Sequence, residues 1–353
     1  MTINSPLFLE DLAPWNENPN SIWLASTLLL NRNIESYNFP AKLSAEKRKQ
    51  IVLLISKEIN SLPHFDQPKL LKSEECSPLD KEFFVEHCLT NEGFIQASQG
   101  EAFIFDRHGQ SILTLNIEDH LHFHYIDIKG ELEKGLNAIG AVETQLGKIF
   151  SYAFSPRFGF LTSNPFGCGT GMMLSLFLQI SGLIHGKKWS SIQEKLKDES
   201  IEITGLLGKP EEFVGDLIVV RNQYSLGVNE ESIVSNLRGF ASKVIIEENS
   251  AREQIKKTES AEIKDKVARA YGLLTHSYQI ETLEALNEIA LMKFGLEMGW
   301  IAGVTMTELN ALFFTCRRAH LLRKHSQKIS MEDVAHKRAE LIHDTLKNIT
   351  LTL

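Results

Sequence analysis

From Glu230 onward the chain repeats apolar residues at helical spacing almost without a break, whereas residues 101–128 read as short strands divided by turn residues. Such a change of period favours a sheet in the first part and a helical layer in the second, rather than an alternating βαβ fold. The strand-like stretch holds EAFIFD, SILTLNIED and HLHFHYIDI, which are β-branched and aromatic and are separated by the turn signal Arg107-His108-Gly109-Gln110. Ile112, Leu113 and Leu115, then Leu121, Phe123 and Tyr125, alternate in part at period two, so an antiparallel meander is expected. Ahead of it, Ser44–Leu62 reads as a helix, with Ser44 as cap, Glu46 in the first turn and apolar residues recurring to Ile59 and Leu62. Pro63 and Pro68 then break the chain.

After the meander the pattern predicts a helix over 129–150, a strand or hairpin around 152–162, and a Gly-rich loop over Asn164–Gly171. That loop is read as leading into an apolar helix from Met172 to Leu183, with a strand-rich piece over 201–226. Helices are expected near 231–258, 260–273, 278–298, 305–325 and 330–347. The fold class is thus α+β, an antiparallel sheet flanked by helices, followed by a C-terminal helical domain. The boundary is placed near Ser250, giving domains 1–250 and 251–353.

Of the 353 residues, 43% are apolar and 23% charged, and the formal net charge is −8. Nucleic-acid binders draw most of their affinity from neutralising phosphates, so this balance argues against such a partner. The most apolar windows, such as 283–304, are interrupted by Glu284, Glu288, Lys293 and Glu297, so no membrane span is expected. The N-terminal MTINSPLFLEDLAPW lacks a basic segment followed by an apolar run, so no signal peptide is expected. Cys76, Cys88, Cys168 and Cys316 lie far apart and form no CxxC pair, which fits reduced thiols in a cytoplasmic protein.

Three segments carry chemistry: NIEDHLHFH (116–124), YAFSPRFGFLTSNPFGCGTG (152–171) and SAREQIKKTESAEIKDKVARAYGLL (250–274). With the fainter ASTLLLNRN (25–33) and NFP (38–40), they resemble the ATP:guanidino phosphotransferases, and in particular the bacterial protein arginine kinases. The resemblance implies a guanidino-kinase catalytic domain and in-line transfer of the ATP γ-phosphoryl group to a guanidinium nitrogen. Positioning and electrostatics dominate such transfers: arginine forks hold the triphosphate and a carboxylate orients the guanidinium.

Carried over position by position, the resemblance places the catalytic carboxylate of the NEEDH-type motif on Glu118, followed by Asp119 and His120. The first two arginines of the SSRxRxARN-type motif fall on Thr27 and Leu29, and its last on Arg32. The remaining phosphate arginines fall on His122, Met173 and Thr204, so all five phosphate-binding positions have lost their arginine. On the substrate side, the cysteine opening the CPTNxGT loop falls on Asn164 and the glutamate of the RGxxGE motif on Lys209. A hydrogen bond to a charged group contributes roughly 1.5–3 kcal/mol, and a transition-state arginine about 10³–10⁵ in rate. The expected function is therefore that of a degenerate, catalytically impaired protein arginine kinase, a binding or regulatory member of a bacterial protein-quality-control pathway.

The alternative is an active kinase with a rebuilt site, using Glu118 as base and cations from Arg107, Arg157, Arg221 or Lys209, with ATP and magnesium as cofactors. The impaired form needs no cofactor. A third reading is a phosphoarginine-binding adaptor using Lys337 and Arg338 in the C-terminal domain, where Arg317, Arg318, Arg323 and Lys324 add a basic cluster. The partners implied are protein clients or a regulatory partner protein, and a homodimer. The loop NPFGCGTG also resembles a phosphate cradle, since glycines let backbone amides approach oxygens. His120, His122 and His124 alternate on an expected strand and share a face, but they span about 13 Å at about 3.3 Å per residue. No metal site is expected from them.

Overall fold

The computed structural model describes residues 20–62, 65–86, 99–324 and 330–353. The N-terminal stretch read for a signal peptide, Pro63 and Cys88 lie outside the described residues. In chain order the elements begin with β1 (Trp23–Arg32), α1 (Ala45–Ile59), β2 (Lys69–Lys72), α2 (Pro78–Glu86), β3 (Ala102–Phe105), β4 (Ser111–Leu115) and β5 (Leu121–Asp127). Next come α3 (Leu132–Gly147), β6 (Phe154–Ser155), β7 (Gly159–Phe160), β8 (Met172–Gln179), α4 (Ser181–His185), α5 (Trp189–Lys195), β9 (Ile201–Gly205) and β10 (Leu217–Asn222). The rest is α6 (Glu230–Thr258), α7 (Ala261–His276), α8 (Thr282–Met298), β11 (Ile301–Ala302), α9 (Met306–Thr315), α10 (Arg318–Lys324), α11 (Val334–Leu346) and β12 (Thr350–Leu351). The chain forms two compact units. One holds Ala25–Ser175 and Arg221–Leu237, the other Leu176–Val220 and Arg238–Leu353 with the start of β1.

The main sheet has eight strands in the order β2-β3-β4-β5-β1-β8-β10-β9. The meander pairs antiparallel, with Leu113 opposite Phe123 and Ile104 opposite Leu113, and β1 joins β5 with Leu28 opposite Tyr125. Phe84 of α2 stacks on Phe105 and tilts against Phe103. Ser44 caps α1 by accepting from the amide of Lys47 at 3.4 Å, as the sequence predicts.

The expected helix over 172–183 is instead a strand as far as Gln179, with one short helical turn after it. MMLSLFLQ is an almost unbroken apolar run, and periodicity alone does not separate a buried strand from a buried helix. Its neighbours decide, because β1 and β10 flank it and supply the ladder, and its side chains then alternate between buried and half-exposed. β1, too, is a strand that the sequence reading did not assign.

In the second unit, α7, α8, α9 and α11 enclose one apolar cluster that includes Ile255, Leu274, Ile289, Phe294, Leu309 and Ile342. Val214 and Leu217, from the start of β10 and the turn before it, belong to the same cluster. The helix expected over 305–325 is broken at Cys316, between α9 and α10. The carbonyl freed there accepts from Arg338 Nε at 2.8 Å, and Arg338 Nη1 donates to Ile280 O at 2.6 Å. A buried guanidinium thus satisfies a helix end that would otherwise be orphaned. Among the described residues no helix is long and apolar enough to cross a membrane.

Candidate functional site

The β4–β5 turn, residues 116–120, is pinned from several sides. Asn116 adopts a left-handed conformation (φ 61°), and its side-chain amide donates to Gly100 O at 2.9 Å and Arg48 O at 3.0 Å. Asp119 is buried, and its Oδ1 accepts from Asn33 Nδ2 and from the Ser163 amide, both at 2.6 Å. Asn33 Oδ1 accepts from the His120 amide, and His120 Nδ1 accepts from the Ile34 amide, each at 3.0 Å. Ser163 Oγ donates to the carbonyl of Glu118 at 2.7 Å. Glu118 itself is exposed. The backbone that carries this carboxylate is therefore fixed by its two neighbours.

The three histidines do not act as one row. His120 precedes β5 and turns toward Ile34, while His122 and His124 line a common cavity. His122 Nε2 accepts from the Asp119 amide at 3.1 Å, so that nitrogen carries no proton. Burial lowers the pKa of His122 and pushes His124 down to about 3, with His122 adding to the second shift. Burial likewise lowers His120 to about 4. All three rings are neutral at pH 7.

Arg32, the retained arginine of the β1 motif, is 3% exposed. Its Nε pairs with Glu143 of α3 at 2.7 Å, and its Nη1 donates to Asn31 O and Thr170 O, both at 2.8 Å. The guanidinium lies 3.4 Å from the centre of the Phe160 ring. It is a structural tie rather than a ligand for phosphate. The Gly-rich loop is tied down in the same way. A Cβ on Gly169 would sit 2.2 Å from Ser225 O, and one on Gly171 2.6 Å from Asn31 O. The amides of Gly167, Cys168, Gly169 and Thr170 donate to the carbonyls of Asn164, Pro165, Phe160 and Ser225. These glycines serve close backbone packing, and those four amides are committed to the protein, so the phosphate-cradle reading of this loop does not hold.

A cavity of about 320 Å³ opens beside Glu118. β1 contributes Leu29 and Asn31, β8 contributes Met172 and Met173, and the β4–β5 region adds Asp119, His122 and His124. Asn164 and Phe166 line it from the loop, and Arg221 and Tyr224 from the end of β10 and beyond. Arg221 is the only lysine or arginine among the described lining residues. A triphosphate carries about four negative charges and calls for several such donors, of which the described lining supplies only one. Nor does it offer magnesium a ready carboxylate at Asp119, whose Oδ1 already takes two hydrogen bonds.

Of the positions singled out in the sequence, Glu118, Leu29, His122, Met173 and Asn164 come together at this cavity. Thr27 lies two residues before Leu29 on the same half-buried face of β1 but is not among the lining residues. Thr204 is buried in β9, in the second unit. Lys209 is exposed and pairs with Glu212 at 2.8 Å, which raises its pKa. Arg107 is exposed, and Arg157, also exposed, lies 5.0 Å from the centre of the Phe158 ring. In the C-terminal region Lys337 pairs with Glu340 at 2.6 Å, while Arg338 is buried on the two carbonyls already described. Among the described residues no cluster of His, Cys, Asp and Glu is arranged to hold a metal. The sequence reading missed the Asn33–Asp119–Ser163 hub, whose only signal was that Asn33 and Asp119 fall in two motifs of one family.

Known proteins place these features in a common frame. A family model described as ATP:guanido phosphotransferase, C-terminal catalytic domain, matches residues 50–251. One described as Protein-arginine kinase McsB C-terminal domain matches residues 260–352. The chain is 34% identical over 359 aligned positions to the protein-arginine kinase of Chlamydia pneumoniae, covering 99% of each. It is 30% identical over 343 positions to that of Bacillus cereus (strain AH187), covering 96% of this chain and 97% of the relative. Among solved structures, the duplicated taurocyamine kinase from Schistosoma mansoni with bound transition state analog components superposes with a TM-score of 0.55 at 21% identity. That match covers 66% of this chain and 33% of the other. A lombricine kinase gives 0.53 at 19%, covering 65% and 67%. At these identities the structural matches show the fold alone.

Proposed function

The chain belongs to the ATP:guanidino phosphotransferase family, with a protein-arginine kinase C-terminal domain, and we propose that it acts there as a binding or regulatory member that no longer transfers phosphate. One contrast carries the reading. The motif residues that persist, Asn33, Arg32, Asp119 and His120, are hydrogen-bonded into the fold. The positions that the family fills with phosphate arginines hold Thr27, Leu29, His122, Met173 and Thr204. Loss at the phosphate-facing positions and at the substrate-side Asn164 and Lys209, beside intact structural ones, is the pattern left when a fold is maintained and its chemistry is not. Glu118 remains, but a carboxylate can only orient and deprotonate a guanidinium; it cannot stabilise a transferring phosphoryl group.

On this reading residues 1–250 form the kinase-like portion and 251–353 the helical portion. The partners are protein clients or a regulatory protein within bacterial protein quality control, and the setting is cytoplasmic. Calorimetry with Mg·ATP tests it, with Glu118→Gln alongside: no binding is expected at about 1 mM. Micromolar binding, or transfer of phosphate to arginine in a protein, would overturn it. A second reading, an active kinase with a rebuilt site, draws on the single observation that Arg221 lines the cavity. It predicts nucleotide binding that Arg221→Gln removes.

A further inference from the structure

Lys293 is out of place in the core of the second unit. It sits in the second half of α8, between Met292 and Phe294 of the apolar cluster, and is 2% exposed. Its Nζ stands 5.9 Å from the centre of the Phe313 ring, and among the described residues no side chain gives it a hydrogen bond or an ion pair. Burial of this kind penalises the charged form of a lysine. Burial first, and the nearby Arg252 guanidinium second, bring its pKa down to about 7, against the pull of Asp216 and Glu297. An exposed lysine titrates near about 10.4, so this one changes charge close to neutral pH.

The turn ahead of β10 brings a carboxylate to the same place. Gly215 abuts the Phe313 ring so closely that a Cβ there would lie 2.7 Å from it. Asp216 follows in a left-handed conformation (φ 54°), with its Oδ2 3.0 Å from His185 Nε2 of α4. The backbone of the turn is fastened, since Asp216 O accepts from the Ile180 amide at 2.9 Å and Gly215 O from Gln179 Nε2 at 3.1 Å. The side chain of Asp216 is thus the part that can turn. The other charged groups around Lys293 are committed elsewhere or exposed. Arg252 pairs with Glu248 at 2.6 Å, and Glu297, 38% exposed, lies 3.6 Å from Arg252. Arg317 lies over the same Phe313 ring at 5.4 Å, and the half-buried Glu288 acts on Asp216 and His185. From α7 the buried side chains are Ile263, Val267, Ala270 and Leu274, none of which carries charge.

We propose that Lys293, Asp216 and His185 form a proton-operated switch: on taking a proton from solvent, Lys293 draws the Asp216 carboxylate to itself and releases the ring of His185. A buried ammonium needs a paired carboxylate, and a carboxylate in the interior attracts it more strongly than one in water. Asp216, buried, therefore prevails over the exposed Glu297. Glu297 also follows Lys293 at i+4, the weaker orientation for a helical ion pair. In the arrangement seen here Asp216 stays with His185 and Lys293 has no partner, which is the neutral-amine state. His185 lines a cavity of about 220 Å³ together with Lys187, Lys188 and Gln254, so its release alters a wall of that cavity. The switch lies wholly in the second unit and does not depend on whether the site beside Glu118 binds nucleotide.

The experiment follows the carbon-13 shifts of Lys293 Cε and Asp216 Cγ by NMR on the full chain, from about pH 5 to about pH 9. The two signals are expected to move together, with a midpoint near pH 7. Lys293→Met should remove that step from the Asp216 signal, and Asp216→Asn should weaken proton binding at Lys293 by about tenfold. In His185→Gln the step at Asp216 should survive, because it belongs to the lysine and not to the imidazole. A Lys293 that stays charged up to about pH 9, or an Asp216 signal that is flat through the Lys293 midpoint, would overturn the proposal. So would an Asp216 step that outlives Lys293→Met and disappears in His185→Gln. The paired movement is read on the unmodified protein, so a folding defect in a variant cannot hide the answer.

Discussion

Arg32 and the positions around it show how single residues divide between fold and chemistry. Along β1, Ser26, Leu28, Leu30 and Arg32 are buried, whereas Thr27, Leu29 and Asn31 are half-exposed. One face of the strand is therefore held by packing, and the two positions that the resemblance assigns to phosphate arginines, Thr27 and Leu29, lie on the other. Removing one partner of a buried pair leaves an uncompensated charge, at a cost of about 3–5 kcal/mol. Arg32→Met is thus expected to lower the unfolding free energy by about that much, read from urea midpoints. Adding Glu143→Leu should recover part of the loss. A change under about 0.5 kcal/mol would mean that the tie between Glu143 and Thr170 carries no structural weight. The retained arginine was visible in the sequence, but its structural role was not, because the partners lie 111 and 138 residues away.

At the scale of elements, β5 carries a built-in pH dependence. Folded His120 and His124 titrate near 4 and 3, both lowered by burial, and His122 is lowered for the same reason. Unfolded histidine titrates near 6.5. Between those values the unfolded chain binds more protons, so stability is full above pH 6.5 and falls as the pH drops toward the folded values. The slope approaches about 1.4 kcal/mol per pH unit for each histidine. Denaturation midpoints taken from about pH 8 to about pH 5 should stay level and then fall, with a shallower fall in His124→Leu. Parallel curves for the two proteins would show that His124 is not the neutral ring described. β8 teaches a second lesson at this scale. Its composition suits a helix or a strand equally, and only the ladder from β1 and β10 settles the matter. The helix, meander and hairpin signals with local causes, such as the Ser44 cap and the 107–110 turn, were legible where β8 was not.

For the whole molecule, the question is what holds each unit together. Val214 and Leu217 share a buried cluster with Ile255, Leu286 and Phe313, and the Gly215 amide donates to Asn287 Oδ1 at 2.8 Å. The carboxylate of Glu248 accepts from the amides of Gly182 and Leu183, both at 2.8 Å, and its Oε1 also from Arg252 Nε at 2.6 Å. A fragment ending at residue 250 would strip this core and cut α6, which runs from Glu230 to Thr258. It is expected to lose near-UV circular dichroism and to melt without a sharp transition, since exposed core surface forfeits about 25 cal/mol per Å². A soluble fragment with a cooperative melt would contradict this. The sequence by itself determined the fold class and the family, because both rest on residue types and short-range patterns; Glu118 as the carboxylate and the five phosphate positions are what the resemblance implies. Only the tertiary structure decided that β8 is a strand, that Arg32 and Arg338 are structural, and that Arg221 faces the same cavity as Glu118. Those outcomes depend on ladders, buried hydrogen bonds and side-chain directions set by residues far apart in the chain.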